Sequence, residues 1–561
     1  MSKIIQRPFS PATAALLEAS GIAPLMARIY AARGIENAGE LDTDIQHLLP
    51  FSKLMNAEKM ACLLADAIIE QKKLLIVADY DADGATACAV GVRGLGALGA
   101  RVDFIVPNRF EFGYGLTPEI VRLAKQSEPD ILLTVDNGIA SVEGVAEAHR
   151  LGMQVLVTDH HLPGDTTPDA ECIVNPNQRG CEFPSKNLAG VGVMFYVLMS
   201  LRAEMRKRGV FDGKSEPNLG NLLDLVALGT VADVVKLDGN NRILVQQGLQ
   251  RIRAGRCNAG MRALLQVARK ATSQISSYEL GFVVGPRLNA AGRLDDMSLG
   301  IRCLLTDDDS EASEIAAKLD ALNHERRSIE ADMQDTALSA LDTFDPADSN
   351  SLTLFNEDWH QGVIGILASR LKDKFHRPVI AFAHSTHGEI KGSGRSIAGL
   401  HLRDALDLVS KRHPHLILKF GGHAMAAGLS IRDEDLDGFR HAFEAVAQEL
   451  IGKEALVKTT VTDGTLNADE FTLGIAKELQ QQVWGQGFPE PLFEGKFRVI
   501  SQRIVGEKHL KLKLGTSAGN IEAIHFFSTE PLPESIHAVF SLSINEYNGN
   551  ENLQLIVRHC S

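Results

Sequence analysis

At 561 residues the chain is too long for a single hydrophobic core, and 45% hydrophobic with 23% charged residues is the balance of ordinary globular protein. A formal net charge of −14 excludes a protein that coats nucleic acid nonspecifically, but it permits phosphate contacts confined to one cleft. The seven cysteines form no Cys-x-x-Cys pair, the apolar N-terminal stretch is broken by Glu18, and the longest apolar run, 191–201, is too short to span a bilayer. No secretory leader, membrane anchor or disulfide framework is expected, and the chain is read as cytoplasmic.

Residues 1–50 read as helical, with breaks at Gly21, Pro24 and Gly34, and 57–70 as an amphipathic helix. An alternation follows: strand 74–78, helix 84–98, strand 102–106, helix 117–126 with Pro118 in its first turn, strand 131–135, helix 141–150 and strand 154–158. Strands separated by helices in this way predict a doubly wound, mainly parallel sheet. Gly94, Gly96 and Gly99 match Gly-x-Gly-x-x-Gly. They fall at a helix end rather than after a strand, so a dinucleotide site is rejected.

Three polar motifs sit at the carboxyl ends of these strands. Asp79, Asp81 and Asp83 alternate directly after 74–78 and are followed by Gly84. Three anions so close repel one another unless a cation neutralises them, and hard oxygen ligands suit magnesium, manganese or calcium. An EF-hand loop is rejected: the twelfth position is Val90 rather than Glu, and a strand precedes the motif instead of a helix. Asp136-Asn137-Gly138 follows 131–135, and Asp159-His160-His161 follows 154–158. In an open parallel sheet such ends face a common ligand crevice, so the three motifs are expected to converge on a metal site. Asp224 and Asp233, in the apolar stretch 222–234, are both candidates for a further ligand.

Farther on, 285–293 (Gly-Pro-Arg-Leu-Asn-Ala-Ala-Gly-Arg) reads as a loop suited to gripping phosphate, and 308–344 as one long helix. The segment 345–350 has linker chemistry. A second α/β unit begins with strand 351–355, helix 361–373 and strand 378–383. It carries two glycine-rich stretches read as loops, 392–396 with Ser393 and Arg395, and 421–428 with His423. Five short strands (497–505, 510–514, 521–527, 538–544 and 553–557) then fit a small barrel such as an OB-fold, on which Lys508, His509, Lys511 and Lys513 are placed to meet nucleic acid.

Taken together, Asp79-Tyr-Asp-Ala-Asp-Gly84, Asp136-Asn-Gly138, Asp159-His-His161 and Gly-Thr-Val-Ala-Asp233 resemble, in order, the four motifs of the DHH phosphoesterases. Gly-Gly-His423-Ala-Met-Ala-Ala-Gly resembles the glycine-rich motif of the DHH-associated domain. With the C-terminal barrel, the whole chain is similar to the branch of that family that digests single-stranded DNA from the 5′ end. The resemblance implies a helical segment 1–50, a phosphoesterase domain 51–307, a connecting helix 308–345, a DHH-associated domain 346–452 and an OB-fold-like domain 453–561. It implies a two-metal site for Mn2+ or Mg2+ on Asp79, Asp81, Asp83, Asp136, His160 and Asp233, with His161 against the scissile phosphate. It assigns Arg109, Tyr114, Arg287, Asn289, Ser393, Arg395 and His423 to the DNA. Single-stranded DNA, a single-strand-binding protein and a RecQ-type helicase are the implied partners of a monomer acting in DNA repair and recombination.

From the residues themselves, Asp136 is the natural bridging carboxylate, and a histidine ligand favours manganese somewhat over magnesium. Two other readings are a phosphoesterase of short oligonucleotides and a non-catalytic nucleic-acid-binding relative. The length and the barrel disfavour the first, and the intact carboxylates and histidines disfavour the second.

Overall fold

The computed structural model describes residues 3–108, 115–341, 349–385, 388–516, 519–547 and 549–560. Arg109 and Tyr114 lie outside the described residues, as does most of the expected linker. The chain divides into two compact units, one of residues 6–320 and 462–561, the other of residues 1–5 and 321–461.

The larger unit is built on a five-stranded sheet in the order Arg101–Ile105, Lys73–Ala78, Ile131–Val135, Gln154–Thr158, Cys172–Val174, with every neighbouring pair parallel. Its inner strands are continuous apolar runs because helices cover both faces. Leu75, Val77, Leu132 and Val155 pack under helices Pro118–Lys125 and Val142–Arg150, through Ile120, Val121 and Val145. The alternate residue Ile76 faces the other side, toward Gly91 of helix Ala82–Ala97 and Met194 of helix Gly190–Lys207. The first strand of this sheet in chain order, Lys73–Ala78, lies second from the edge, with its successor Arg101–Ile105 on one side and Ile131–Val135 on the other. The connections therefore reverse direction at Lys73–Ala78, and a crevice opens at its carboxyl end.

Near the end of the chain, strands Phe493–Val505, His509–Thr516, Gly519–His525, Asn550–Cys560 and Ser535–Tyr547 close a barrel in that order, with Gly519–His525 and Asn550–Cys560 parallel. Phe493, Phe497 and Phe540 fill it. The barrel segment belongs to the same compact unit as the parallel sheet, and specific contacts explain why. Arg33 donates to Asp463 Oδ1 at 2.8 Å and lies over Trp484, while the Arg242 guanidinium lies 4.4 Å over the Phe488 ring. The N-terminal residues are less helical than expected: short helices Pro11–Ala19 and Pro24–Ala31 are followed by isolated 3-10 turns, since proline and glycine recur too often for longer runs.

In the smaller unit, strands run Lys419–Gly422, Ala426–Arg432, Glu389–Arg395, Val379–His384, Leu352–Phe355. The last pair is parallel, joined by helix Ile364–Phe375, and the rest are antiparallel. Phe382, Phe439 and Phe443 anchor its core. Two expectations are corrected here. Residues 392–395 are not a loop but the end of strand Glu389–Arg395, and 421–428 is a hairpin whose turn is His423 to Met425. Glycines that read as loop formers are tolerated because the sheet packs tightly on them: a Cβ on Gly392 would stand 2.6 Å from the Phe382 ring. The long helix runs Asp309–Ala340, beginning in the larger unit and ending in the smaller.

Candidate metal centre

The three strand-end motifs meet. Asp81 caps helix Ala82–Ala97, its Oδ1 accepting from the N–H groups of Asp83 (2.9 Å) and Gly84 (3.0 Å), which leaves its second oxygen for the crevice. Asp83 points into the protein, where Oδ2 accepts from Gly190 N (2.6 Å) and Oδ1 from Val191 N (2.9 Å). It thus supplies the cap that Ala189 cannot give helix Gly190–Lys207. Gly190 is required at that point: a Cβ there would sit 2.6 Å from Asp136 Cβ.

Asp136 is held in a left-handed conformation at φ 62, a region that aspartate enters more readily than most non-glycine residues. Asn137 fixes the turn by donating to Val77 O and Val135 O, tying the first and third strands together where they end. Asp159 is saturated. Its Oδ1 accepts from the backbone N–H groups of His160 and His161 and lies 2.7 Å from His161 Nδ1, and its Oδ2 accepts from Ile139 N at 2.9 Å. It is a positioning residue that orients both histidines.

Three groups of side chains have ligand atoms within 4.8 Å of one another: Asp79, Asp81 and Asp136; Asp83, His160 and Asp233; Asp136, His160 and His161. His160 Nε2 lies 3.1 Å from Asp136 Oδ1, 3.5 Å from Asp233 Oδ2 and 3.9 Å from Asp83 Oδ2. Asp136 Oδ1 and His160 Nε2 are both enclosed, and among the described residues neither has a hydrogen-bond partner despite their closeness. The His160 ring is hydrogen-bonded to the Leu188 backbone, which must engage its other nitrogen. Two enclosed lone-pair atoms facing one another among carboxylates is the donor set of a divalent cation, and the residues fit one. Of the two further candidates, Asp233 lies in this cluster. Asp224 is buried apart from it, Oδ2 accepting from Asn258 N at 2.6 Å.

The electrostatics agree. Burial, then the charge of Asp81, lifts Asp83 to about 7, against the pull of the two backbone donors. Burial and the neighbouring aspartates raise Asp136 and Asp233 well above the usual carboxylate range. Burial lowers His160 to about 4 and so keeps its imidazole neutral, as a ligand requires. Burial alone would also depress His161, but its hydrogen bond to Asp159 and the field of Asp159, Asp79 and Asp81 outweigh that and raise it to about 9. For Asp159, burial is outweighed by the same hydrogen bond, and its carboxyl falls below the ordinary value. Burial thus keeps His160 neutral, while the contact with Asp159 keeps His161 protonated.

The expected phosphate contacts divide. Residues 285–293 are not a loop: Gly285–Leu294 is an α-helix preceded by a π-helical turn, Leu280–Val284. It packs on the acidic turn so closely that a Cβ at Gly292 would meet Tyr80 O at 1.9 Å. From this helix Asn289 Oδ1 accepts from Ala82 N at 2.9 Å, so it braces the acidic turn. Arg287 donates to Asp320 Oδ1 (2.8 Å) and Val283 O. In the smaller unit Arg395 donates to Ser393 Oγ (3.2 Å) and Gly394 O (2.8 Å), close to the start of helix Ile364–Phe375. Among the described residues no carboxylate pairs with it. His423 is exposed at the hairpin turn, its N–H donating to Ala426 O at 2.8 Å.

A doubly wound parallel sheet with this Asp/His centre at its switch point defines a phosphoesterase of the DHH class. The DHH family N-terminal domain matches residues 73–230, the DHHA1 domain 348–449 and the RecJ OB domain 462–559. The chain belongs to the RecJ family. The single-stranded-DNA-specific exonuclease RecJ of Salmonella typhimurium is 49% identical over 548 residues, 95% of each chain, and that of Escherichia coli is 48% identical over the same shares. The crystal structure of RecJ in complex with Mn2+ from Thermus thermophilus superposes with a TM-score of 0.84 at 30% identity, covering all of this chain and 79% of that one. The corresponding Mg2+ complex gives 0.78 at 29%. No helix among the described residues is long and apolar enough to cross a membrane.

Proposed function

We propose that the chain is a metal-dependent exonuclease that hydrolyses single-stranded DNA from the 5′ end, acting in DNA repair and recombination in the cytoplasm. The observation that carries this reading is the convergence of Asp79, Asp81, Asp83, Asp136, His160 and Asp233 around the partnerless atoms Asp136 Oδ1 and His160 Nε2, in a chain so similar to named single-stranded-DNA exonucleases. Those six residues would hold two Mn2+ or Mg2+ ions, which when bound supply phosphate neutralisation and an activated water.

The chain's own groups do the rest. Asp136, which like His160 belongs to two of the three ligand groups but offers two oxygens, would serve as the bridging carboxylate. His161, fixed through Nδ1 by Asp159, offers Nε2 to the scissile phosphate. Arg395, Ser393 and His423 would take backbone phosphates, a 5′-terminal phosphate being the most highly charged and so the best partner for an arginine without a carboxylate. Asn289 joins them through its amide nitrogen, and Arg287 by exchanging Asp320 for a phosphate; Arg109 and Tyr114 complete the set by resemblance alone. The intended domains are 51–307 for hydrolysis, 346–452 for the strand end and 453–561 for holding the strand. A monomer working with a single-strand-binding protein and a RecQ-type helicase completes the reading.

The test is purified protein with Mn2+ and 5′- or 3′-labelled single-stranded DNA, with duplex DNA and RNA as controls. Release of label from 5′-labelled strands at once, and from 3′-labelled strands only at the end, is the expected result. Digestion from the 3′ end, or hydrolysis of dinucleotides alone, overturns it.

A further inference from the structure

Far from the carboxylates, the larger unit holds a hollow of about 230 Å³ lined by four arginines, Arg93, Arg251, Arg256 and Arg262. It lies at the opposite ends of the two helices that carry the metal ligands. Arg93 is on the last turns of Ala82–Ala97, which begins at Asp81, and Leu225 is on the first turn of Leu223–Ala232, which ends at Asp233. Twelve residues of helix separate Arg93 from Asp81, about 18 Å at 1.5 Å per residue, so this is a separate place in the molecule.

Four like charges around one hollow need compensation, and the protein supplies half of it. Arg93 pairs with Asp307 at 2.8 Å and caps the carbonyls of Leu304, Leu305 and Thr306. Arg262 pairs with Asp309 at 2.7 Å. Arg251 donates to neutral oxygens, Asn221 Oδ1 and Arg256 O; the buried Asp224 carboxylate acts on it without a hydrogen bond, and its Nε is enclosed with no hydrogen-bond partner among the described residues. The Arg256 side chain is exposed and has no partner among the described residues. Helix Ala259–Val267 also starts on the hollow. Asp224 Oδ2 takes the Asn258 N–H and Asn258 Oδ1 takes that of Met261, which leaves the Ala259 and Gly260 N–H groups without partners among the described residues.

Two guanidinium groups without an ion-paired carboxylate, Arg251 feeling the charge of the buried Asp224 only through space, an enclosed unused N–H and two backbone donors at a helix start form a convergent set of donors with positive charge. The volume is several times the roughly 30 Å³ of a water molecule, enough for a pair of linked phosphates. We propose that this hollow binds a phosphate-bearing anion, gripped by Arg251, Arg256 and the N-terminus of Ala259–Val267. The phosphate comes either from a free nucleotide or pyrophosphate, or from the backbone of the DNA strand.

Isothermal titration of the full chain with inorganic pyrophosphate in metal-free buffer tests this, with the catalytic ligands unable to hold phosphate through a cation. Arg256→Ala, an exposed change that leaves the packing intact, and Arg251→Gln should each weaken pyrophosphate roughly tenfold or more. Arg395→Ala should leave this binding unaltered. Displacement of pyrophosphate by an oligodeoxynucleotide, with weaker strand binding by Arg256→Ala, identifies the strand as the source; absence of displacement identifies a free anion. The proposal is overturned if wild type takes up no pyrophosphate, or if both arginine variants bind it as wild type does.

Discussion

Two clusters of buried charge, one in each unit, have opposite character. In the smaller unit the long helix buries Arg326, Glu330 and Asn323. Arg326 donates to Glu330 Oε2 (2.6 Å) and Asn323 Oδ1 (2.9 Å), while Arg370 donates to Glu330 Oε1 at 2.7 Å. Signs alternate and all but Arg326 Nε is matched. In the larger unit five aspartates besides Asp159 crowd one crevice with two histidines, and Asp136 Oδ1 and His160 Nε2 at its centre are unmatched among the described residues. A buried cluster in which opposite charges meet is architecture; one in which like-charged lone-pair donors converge is suited to a cation.

The comparison breaks most decisively at Asp136. Asp136→Asn should lower single-strand hydrolysis by roughly three orders of magnitude or more and abolish Mn2+ binding by calorimetry. Because it removes one buried anion from among several, the metal-free variant should melt at or above the wild-type temperature. A variant that keeps near-normal turnover would put the unmatched cluster in the same class as the matched one.

Glu330→Ala should do the reverse. It strands Arg326 in the interior, at a cost of about 3–5 kcal/mol in a urea unfolding curve, and leaves hydrolysis by the folded protein unchanged. Unaltered stability would mean that the smaller unit's network is decorative.

Asp159 sharpens the contrast, because it sits in the active crevice yet is fully hydrogen-bonded. Asp159→Asn should therefore behave as loss of a positioning residue, with activity down about 10- to 100-fold and Mn2+ still bound. Loss of metal comparable to Asp136→Asn would make Asp159 a ligand instead.

The smallest effect is expected at Arg395, a half-buried arginine with no acidic partner among the described residues. Arg395→Ala should reduce the preference for 5′-phosphorylated over 5′-hydroxyl strands about tenfold, with metal affinity intact. An unchanged ratio of rates would return Arg395 to the role of bracing Ser393 and its strand. Removing the barrel is a poorer test of strand binding, because Asp463, Trp484 and Phe488 are packed on Arg33, Tyr30 and Arg242, and the truncation would open that core.

By itself the sequence determined the parallel sheet, the barrel and the convergence of the strand-end motifs. Apolar runs ending in Asp-x-Asp-x-Asp-Gly, Asp-Asn-Gly and Asp-His-His carry their geometry locally, since strand ends in a doubly wound sheet lie side by side. Local pattern was silent or misleading wherever a residue's partner is distant in the chain. Residues 285–293 read as a loop because Gly285, Pro286 and Gly292 punctuate them, yet they form a helix whose Gly292 is needed for its approach to Tyr80. Gly392 and Gly394 read as loop glycines but lie in a strand, where tight packing against Phe382 and Leu402 favours them. The resemblance favoured Asp233 over Asp224, but the place of Asp233 beside His160, the capping of helix Gly190–Lys207 by Asp83, and the gathering of Arg93, Arg251, Arg256 and Arg262 around one hollow were decided only by tertiary structure. Each depends on which faces of separate helices meet, and the periodicity of one segment does not encode its partner's position.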